Sequence, residues 1–288
     1  MTSQKPIAVG TNDSAQSQAA VLWAARRAHR AGLPLVVLHV VDDRWVAEPY
    51  PWFGTLQQAG EELLKTAAGR LEGAVALTPA TELLTGSVGG SLAKYSKKTS
   101  MMVVGSGSGH LGGSLADRAL QVATAAKVPV AVVGTQDLEG RSGVVVGVDG
   151  SPEATQAVAF AAAEADREGD ELTVVYAVSV PNPIVDAGLT PAALADLIVD
   201  EDRVVLSETV AGLKEDYPDL TVHQRLETDR GPVDALVDAA AGARLLVVGS
   251  RGRGAFKRLL LGSTAHGVLT HLPCPTIITR TQAAKNPI

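Results

Sequence analysis

The chain has 288 residues, of which 46% are hydrophobic and 19% charged, with a formal net charge of −6. That length suits two domains of roughly 100–200 residues each, and the negative charge argues against a general nucleic-acid binder, whose surface must neutralise phosphates. A single cysteine, Cys274, excludes an intramolecular disulfide and fits a reducing compartment, and no run approaches the ~20 apolar residues of a membrane span.

The opening "MTSQKPIAVGTNDS" has no basic stretch leading into an apolar run, so it reads as no secretory leader, and a cytoplasmic chain is expected. From Ile7 comes "IAVGTNDSAQSQAAVLWAARRAHRAGLPLVVLHVV". The segment "DDRWVAEPYPWFGT", residues 42–55, then concentrates two tryptophans, Tyr50 and Phe53 in a chain poor in aromatics. It reads as a cover over a site mouth or an interface, or as a local apolar cluster under a long connection. "MMVVGSGSG" begins at Met101, and "VPVAVV" begins at Val128. Residues 134–143, "GTQDLEGRSG", are polar and glycine-bearing in the manner of a linker.

The chain then starts again. "VVVGVDGSPEATQAVAFAAAEADREGDELTVVYAV" from Val144 repeats the opening, with Gly10 matching Gly147, Ser14 matching Ser151, Gly32 matching Gly169 and Leu35 matching Leu172. "LLVVGSRGRG" from Leu245 repeats the stretch from Met101, and "CPTIIT" from Cys274 repeats the one from Val128. A period near 140 residues is domain-sized. The expected boundaries are residues 1–137 and 142–288.

In the second copy, β-branched runs at 144–148, 172–178, 221–226, 245–248 and 276–279 read as strands. They lack polar alternation, as strands covered on both faces do. Ser151 stands at an N-cap, Pro152 at the first helical position and Gly169 at a C-cap. Further helices are expected over residues 192–214, from Pro232 onward, and from about Ser263. Alternating strands and helices predict an α/β fold: two tandem, doubly wound, mainly parallel five-stranded sheets of Rossmann-like type. Ligands of such sheets sit outside the carboxyl ends of the strands.

"VVGSRGRGAFKRLLLGST", residues 247–264, fills that position between the fourth strand and the last helix. Gly249 and Gly252 would let a phosphate approach bare backbone, and Gly262 would do the same before Ser263 and Thr264. Those two residues can donate amides and hydroxyls, while Arg251 and Arg253 can add bidentate charge. The competing reading is a tight turn with solvated arginines. No G-x-x-x-x-G-K-[ST] occurs, so this is not a Walker loop.

The spacing G-2x-G-9x-G-(S/T) resembles the nucleotide loop of the universal stress protein family, as do "VGVDGSPEA" at 146–154, "VVGSRGRG" and "CPTIIT". The resemblance covers nearly the whole chain as two tandem family domains. It implies the adenine nucleotide alpha hydrolase-like variant of the fold, a pseudo-twofold pair of domains with final strands antiparallel, and possible further homodimerisation. It also implies a regulatory ATP-, ADP- or AMP-binding protein of stress or dormancy, with Mg²⁺ carried on the phosphates and an unidentified partner protein. By position, Asp149 would accept from the ribose hydroxyls. Gly147, Val148 and Ala177 would flank the adenine, and Val248 and Gly249 would line the ribose side. Gly252, Gly262, Ser263 and Thr264 would cradle phosphates beside Arg251 and Arg253. For Asp149, capping of the Ser151 helix is the alternative.

The first copy departs from this pattern. Ser108 replaces the second glycine, and Ala116 and Asp117 fall on Gly262 and Ser263. Asn12 stands for Asp149, with Asp13 adjacent for a one-residue slip, and Gly112 and Gly113 could restore part of a turn. Its nucleotide site is expected to be degenerate. "GSGHLG", residues 107–112, matches a dinucleotide fingerprint, yet the repeat identifies it as the counterpart of the second-half loop. His266, His271 and Cys274 offer no assembled catalytic group, so binding is favoured over a slow ATPase, a phosphotransferase or an empty scaffold. No membrane or nucleic-acid partner and no resident metal site are expected.

Overall fold

The computed structural model describes residues 4–43, 53–106, 114–178, 191–253 and 261–280, with the backbone alone for 114–117 and 191–199. The chain divides into two compact units, Met1–Asp137 and Leu138–Thr281. The aromatic segment at 44–52, the fingerprint-like stretch at 107–112 and the neighbouring Gly113 lie outside the described residues.

The first unit runs β1 (Ile7–Gly10), α1 (Ala15–Ala31), β2 (Leu35–Val41), α2 (Phe53–Gly69), β3 (Ala80–Thr85), α3 (Val88–Tyr95), β4 (Met101–Gly105), α4 (Ser114–Ala125) and β5 (Val130–Val133). Its strands are parallel in the order β3-β2-β1-β4-β5. The second unit runs β6 (Val144–Val148), α5 (Pro152–Glu168), β7 (Leu172–Ala177), α6 (Pro191–Val210), α7 (Leu213–Asp216), β8 (Val222–Glu227), α8 (Pro232–Ala239), β9 (Leu245–Gly249), α9 (Ser263–His271) and β10 (Thr276–Thr279). Its strands are parallel in the order β8-β7-β6-β9-β10. The registers repeat as well: Ile7 lies opposite Leu35 and Met101, and Val144 lies opposite Leu172 and Leu245. In each unit the strand order reverses between the first and fourth strands, which opens a crevice at their carboxyl ends.

The central strands are covered on both faces, which explains their lack of alternation: Val145, Val146, Leu246, Val247, Ile277 and Ile278 are all buried. Helix α5 lies close because the side it buries is mostly alanine, with Ala154, Ala157, Ala161, Ala162 and Ala165 all inside. Helix α1 buries Ala20, Ala24, Ala25 and Ala28 likewise. At the start of α5 the Ser151 side chain accepts the Ala154 amide at 3.2 Å, one turn into the helix. At its end Gly169 adopts φ +66°, a conformation that costs glycine nothing and lets the chain turn back to β7.

One helix differs from expectation. The run 192–214 is not continuous: α6 ends at Val210, and a single turn, α7, restarts after Gly212. Glycine is the weakest helix former after proline, so the interruption falls where propensity is lowest.

Candidate functional site

The turn after β6 is built by Asp149. Its Oδ1 accepts the Ser151 amide at 3.0 Å, a short Asx-type loop that leads into α5. Gly150 between them has φ +73°, where a side chain would be strained. The second carboxylate oxygen, Oδ2, accepts the backbone amide of Arg253 at 2.8 Å. Asp149 therefore joins the first loop of the unit to the loop that follows β9. The cap of α5 is Ser151, and Asp149 shapes the turn before it with one of its two oxygens.

The loop after β9 is tied down from behind. Ser250 is buried, its amide donates to the Thr279 carbonyl at 3.2 Å, and its own carbonyl accepts the Gly262 amide at 2.8 Å. Arg251 reaches Glu153 at 3.6 Å. Gly262 is then the N-cap of α9, with φ −73° and no side chain capping the first turn. The amino end of α9, with Ser263 and Thr264 in its first turn, faces the crevice uncapped and carries the partial positive charge of the helix dipole.

These pieces enclose a cavity of about 440 Å³. Gly147, Val148, Asp149, Ala177, Val248, Gly249, Arg251, Gly252, Gly262, Ser263 and Thr264 all line it. Sequence reasoning missed the rest of the wall: Ala154, Val175, Pro232, Leu236 and Ala265. These are apolar residues of α5, β7, α8 and α9, indistinguishable in the sequence from ordinary core positions. The cavity thus has a polar, glycine-rich end at the α9 terminus and an apolar slot between β6, β7 and α8.

Arg253 is the expected binding residue that does not line this cavity. Its backbone amide is held by Asp149, and its Nη1 donates to the Tyr176 hydroxyl at 3.3 Å. Burial and a hydrogen bond to Asp202 of α6 push the Tyr176 phenol up to about 12. Tyr176 therefore keeps its proton and donates it to Asp202 while accepting from Arg253. A second arginine stands behind the loop: burial and the charge of Arg251 make Arg280 give up its proton more readily than usual. Arg280 follows β10 directly, and nothing in the sequence separates it from a surface cation.

The glycines hold their places for different reasons. A Cβ on Gly252 would be driven into the Asp149 carboxylate. On Gly147 it would press Leu236 at 2.8 Å, and on Gly249 it would meet the Arg251 carbonyl at 3.1 Å and Glu153 at 3.3 Å. On Gly262 it would meet, among the described residues, nothing nearer than Arg251 Cα at 3.5 Å, an ordinary contact. At the first three positions an added side chain meets other parts of the fold, most severely at Gly252 and least at Gly249. At Gly262 the described residues leave room for a methyl group, and the residue lines the cavity.

His266 is exposed on α9, and the His271 ring sits 2.9 Å from the Gly267 carbonyl. Cys274 is buried, and burial pushes its thiol up to about 12, so no thiolate forms near neutrality. Among the described residues no cluster of His, Cys, Asp and Glu side chains could hold a metal ion, and no helix is long and apolar enough to cross a membrane.

The first unit has a smaller cavity, about 240 Å³, lined by Gly10, Thr11, Asn12, His39, Gly105 and Arg118 among others. Asp13 does not take over from Asn12. Its φ is +64°, and its carboxylate is held by Arg70 and, at 3.1 Å, by Gln18 Nε2. The neighbouring Arg70 holds that carboxyl below its ordinary range. The one-residue slip is closed. Ser108 and Gly112 lie outside the described residues, as do the side chains of Ala116 and Asp117.

Known proteins resemble both halves. Residues 4–134 and 141–280 each match the model of the Universal stress protein family. A universal stress protein of Mycolicibacterium smegmatis is 35% identical over 293 residues, covering 95% of this chain and 96% of the relative. One from Mycobacterium tuberculosis is 34% identical over 292 residues, covering 96% and 97%. The crystal structure of a universal stress protein from Archaeoglobus fulgidus shares the fold, with a TM-score of 0.69 and 20% identity over 96% of this chain and 97% of that one.

Proposed function

The chain belongs to the universal stress protein family, and on that premise we propose that its second unit is a regulatory binding site for an adenine nucleotide, ATP in particular, serving stress or dormancy adaptation in the cytoplasm. The observation that carries the reading is Gly262. The described residues accommodate a Cβ there, so the bare backbone at the start of α9 is explained by a ligand that must come closer than a methyl group allows.

The rest of the cavity sorts itself around that point. The triphosphate lies against Gly252, Gly262, Ser263 and Thr264, with Arg251 adding charge and Mg²⁺ arriving on the phosphates rather than in a protein cage. The ribose faces Asp149, whose carboxylate has about four lone-pair sites and spends two on backbone amides. The base enters the apolar slot formed by Val148, Ala177, Pro232 and Leu236. Arg253 acts from outside, by holding the loop on Asp149 and Tyr176.

Binding is favoured over turnover by the composition of the wall. Asp149 is the sole carboxylate among the described lining residues, and both of its oxygens already accept backbone amides, which makes it a structural acceptor rather than a free general base. Mass spectrometry of small molecules released from the purified chain, with calorimetric titration by ATP and Mg²⁺, tests the reading. Intact adenine nucleotide and one saturable site per chain are expected. No released nucleotide and no heat would overturn it.

A further inference from the structure

The cavity of the first unit has lost the features that suit a polyphosphate, yet it is not a collapsed relic. Helix α4 lines it with Arg118, Ala119 and Val122, as α9 lines the second cavity with Thr264 and Ala265. Ala119 and Ala265 occupy matching places, so Arg118 stands where the second unit has Thr264. A guanidinium is charged at any pH the protein meets. Among the described residues Arg118 has no hydrogen bond or ion pair, and it lines a cavity whose other wall residues include Leu38, Val40, Val88, Leu92, Val104 and Val122. A cation held against apolar surface gains most from an anion that shares its site.

Thr11, Asn12, Ser17, His39 and Asp42 line the same space, with the Thr11 and Ser17 hydroxyls paired to each other at 3.2 Å. Asn12 spends its Oδ1 on the Ser14 amide and hydroxyl, at 3.3 and 2.7 Å, which leaves its Nδ2 amino group as a donor at the wall. His39 Nδ1 lies 2.8 Å from the Thr11 carbonyl. A carbonyl only accepts, so Nδ1 carries the hydrogen and Nε2 is left for another partner. Asp42 also lines the cavity and already has a partner of its own. The enclosed volume is near half that of the second cavity, and the ribose-facing acid is absent because Asp13 is turned to Arg70.

We propose that the first unit carries a separate site for a small molecule with an apolar body and one anionic head, a carboxylate or a phosphate monoester. The head pairs with Arg118 and the Asn12 amide, and the body lies on Leu38, Leu92 and Val104. This goes beyond the nucleotide reading and does not depend on it. The chain would then bind two chemically different ligands, one in each copy of the repeat.

Amide shifts of the isotope-labelled full chain test this with benzoate, phenyl phosphate and AMP as probes. Gly10 and Gly105 report the first cavity, and Gly147 and Gly249 the second. Benzoate or phenyl phosphate is expected to shift Gly10 and Gly105 saturably in the millimolar range, the stronger of the two identifying the head group. Arg118→Gln is expected to weaken that binding by about tenfold, and Arg118→Lys by less, with the spectrum of the rest of the fold unchanged. The proposal is overturned if neither probe saturates, if Arg118→Gln binds like the parent, or if AMP shifts Gly10 and Gly105 at lower concentration than both probes. None of these results touches the second cavity, whose own amides are read in the same spectra.

Discussion

The Asp149 carboxylate accepts the backbone amide of Arg253 at 2.8 Å, across a sequence separation of 104 residues. This bond places the glycine loop over the end of β6, because Arg253 follows Gly252 directly and Gly252 lies against the same carboxylate. Asp149→Ala removes the anchor together with the acceptor proposed for the ribose. Nucleotide affinity, read by calorimetry, is expected to fall at least about tenfold, the worth of one hydrogen bond to a charged group. The fold should lose only about 1–3 kcal/mol, since β6 and α5 keep their packing. Unchanged affinity in this variant would remove Asp149 from the binding surface.

Gly252 and Gly262 separate the needs of the fold from those of the ligand. Alanine at Gly252 collides with the Asp149 carboxylate, so both stability and affinity should drop, stability by about 1–3 kcal/mol. Alanine at Gly262 finds only ordinary contacts among the described residues, at 3.5 Å and beyond, and a φ of −73° that any residue adopts. Its unfolding free energy without nucleotide should stay within about 0.5 kcal/mol of the parent, while nucleotide affinity falls. Gly262→Asp, which copies the charge of Asp117 at the neighbouring matched position of the first copy, should abolish binding. Urea unfolding and calorimetry on both variants check the pair. Equal loss of stability at the two positions would mean that Gly262 serves the fold and nothing else.

Gly105 and Gly249 hold equivalent positions at the ends of β4 and β9, yet they are constrained unequally. A Cβ on Gly105 would meet the backbone of Gln16 at 2.5 Å and Ser17 N at 2.7 Å. Backbone at that distance must move as a unit, with α1 pushed off its sheet. A Cβ on Gly249 meets its nearest atoms at 3.1 to 3.4 Å, a few tenths of an ångström too close. Gly105→Ala is expected to cost about 2–3 kcal/mol and Gly249→Ala about 1 kcal/mol or less. Thermal melts of the two variants decide the order, and the reverse order would contradict the packing of α1 on β4.

The fold was legible because the chain states it twice. Ser14 and Ser151 as N-caps and Gly32 and Gly169 as left-handed C-caps are local signals, and the repeated Gly10 and Gly147 mark the matching strand ends, so together they fix where strands end and helices begin. The polar half of the candidate site was legible for the same reason: Asp149, Gly252 and Gly262 sit beside strand ends. What the sequence could not show is contact between segments far apart in the chain. Arg253 reads as a phosphate ligand, but its side chain goes to Tyr176, and only the fold brings those two together. Gly249 and Gly252 read as room for a phosphate, and the structure finds Glu153 and Asp149 filling that side. Arg118 stayed unseen because an arginine within an unremarkable helix carries no pattern until the helix is laid against its cavity.

Cys274 gives the chain a defined response to alkali. Burial pushes its thiol up to about 12, only partly offset by the charge of Arg141, against an ordinary value of 9.0. The folded chain holds the proton more tightly than the unfolded chain does. Its stabilising contribution is therefore complete below the unfolded value and is lost as pH climbs from there through the folded value. Within that window the loss approaches about 1.4 kcal/mol per pH unit. Tyr176 and Tyr95 titrate over part of the same range, both raised to about 12, so the total alkaline loss is shared. Cys274→Ala isolates the thiol: its stability is lower at neutral pH because a buried sulfur is gone, but it declines less steeply between about pH 9 and pH 11. Urea unfolding of parent and variant at neutral and alkaline pH should show the two curves converging. Iodoacetamide should leave the folded parent unmodified at neutral pH and react only once denaturant is added. Parallel pH profiles, or rapid alkylation of the native chain, would mean that the thiol reaches solvent and that the strand entry at Cys274 opens in the folded state.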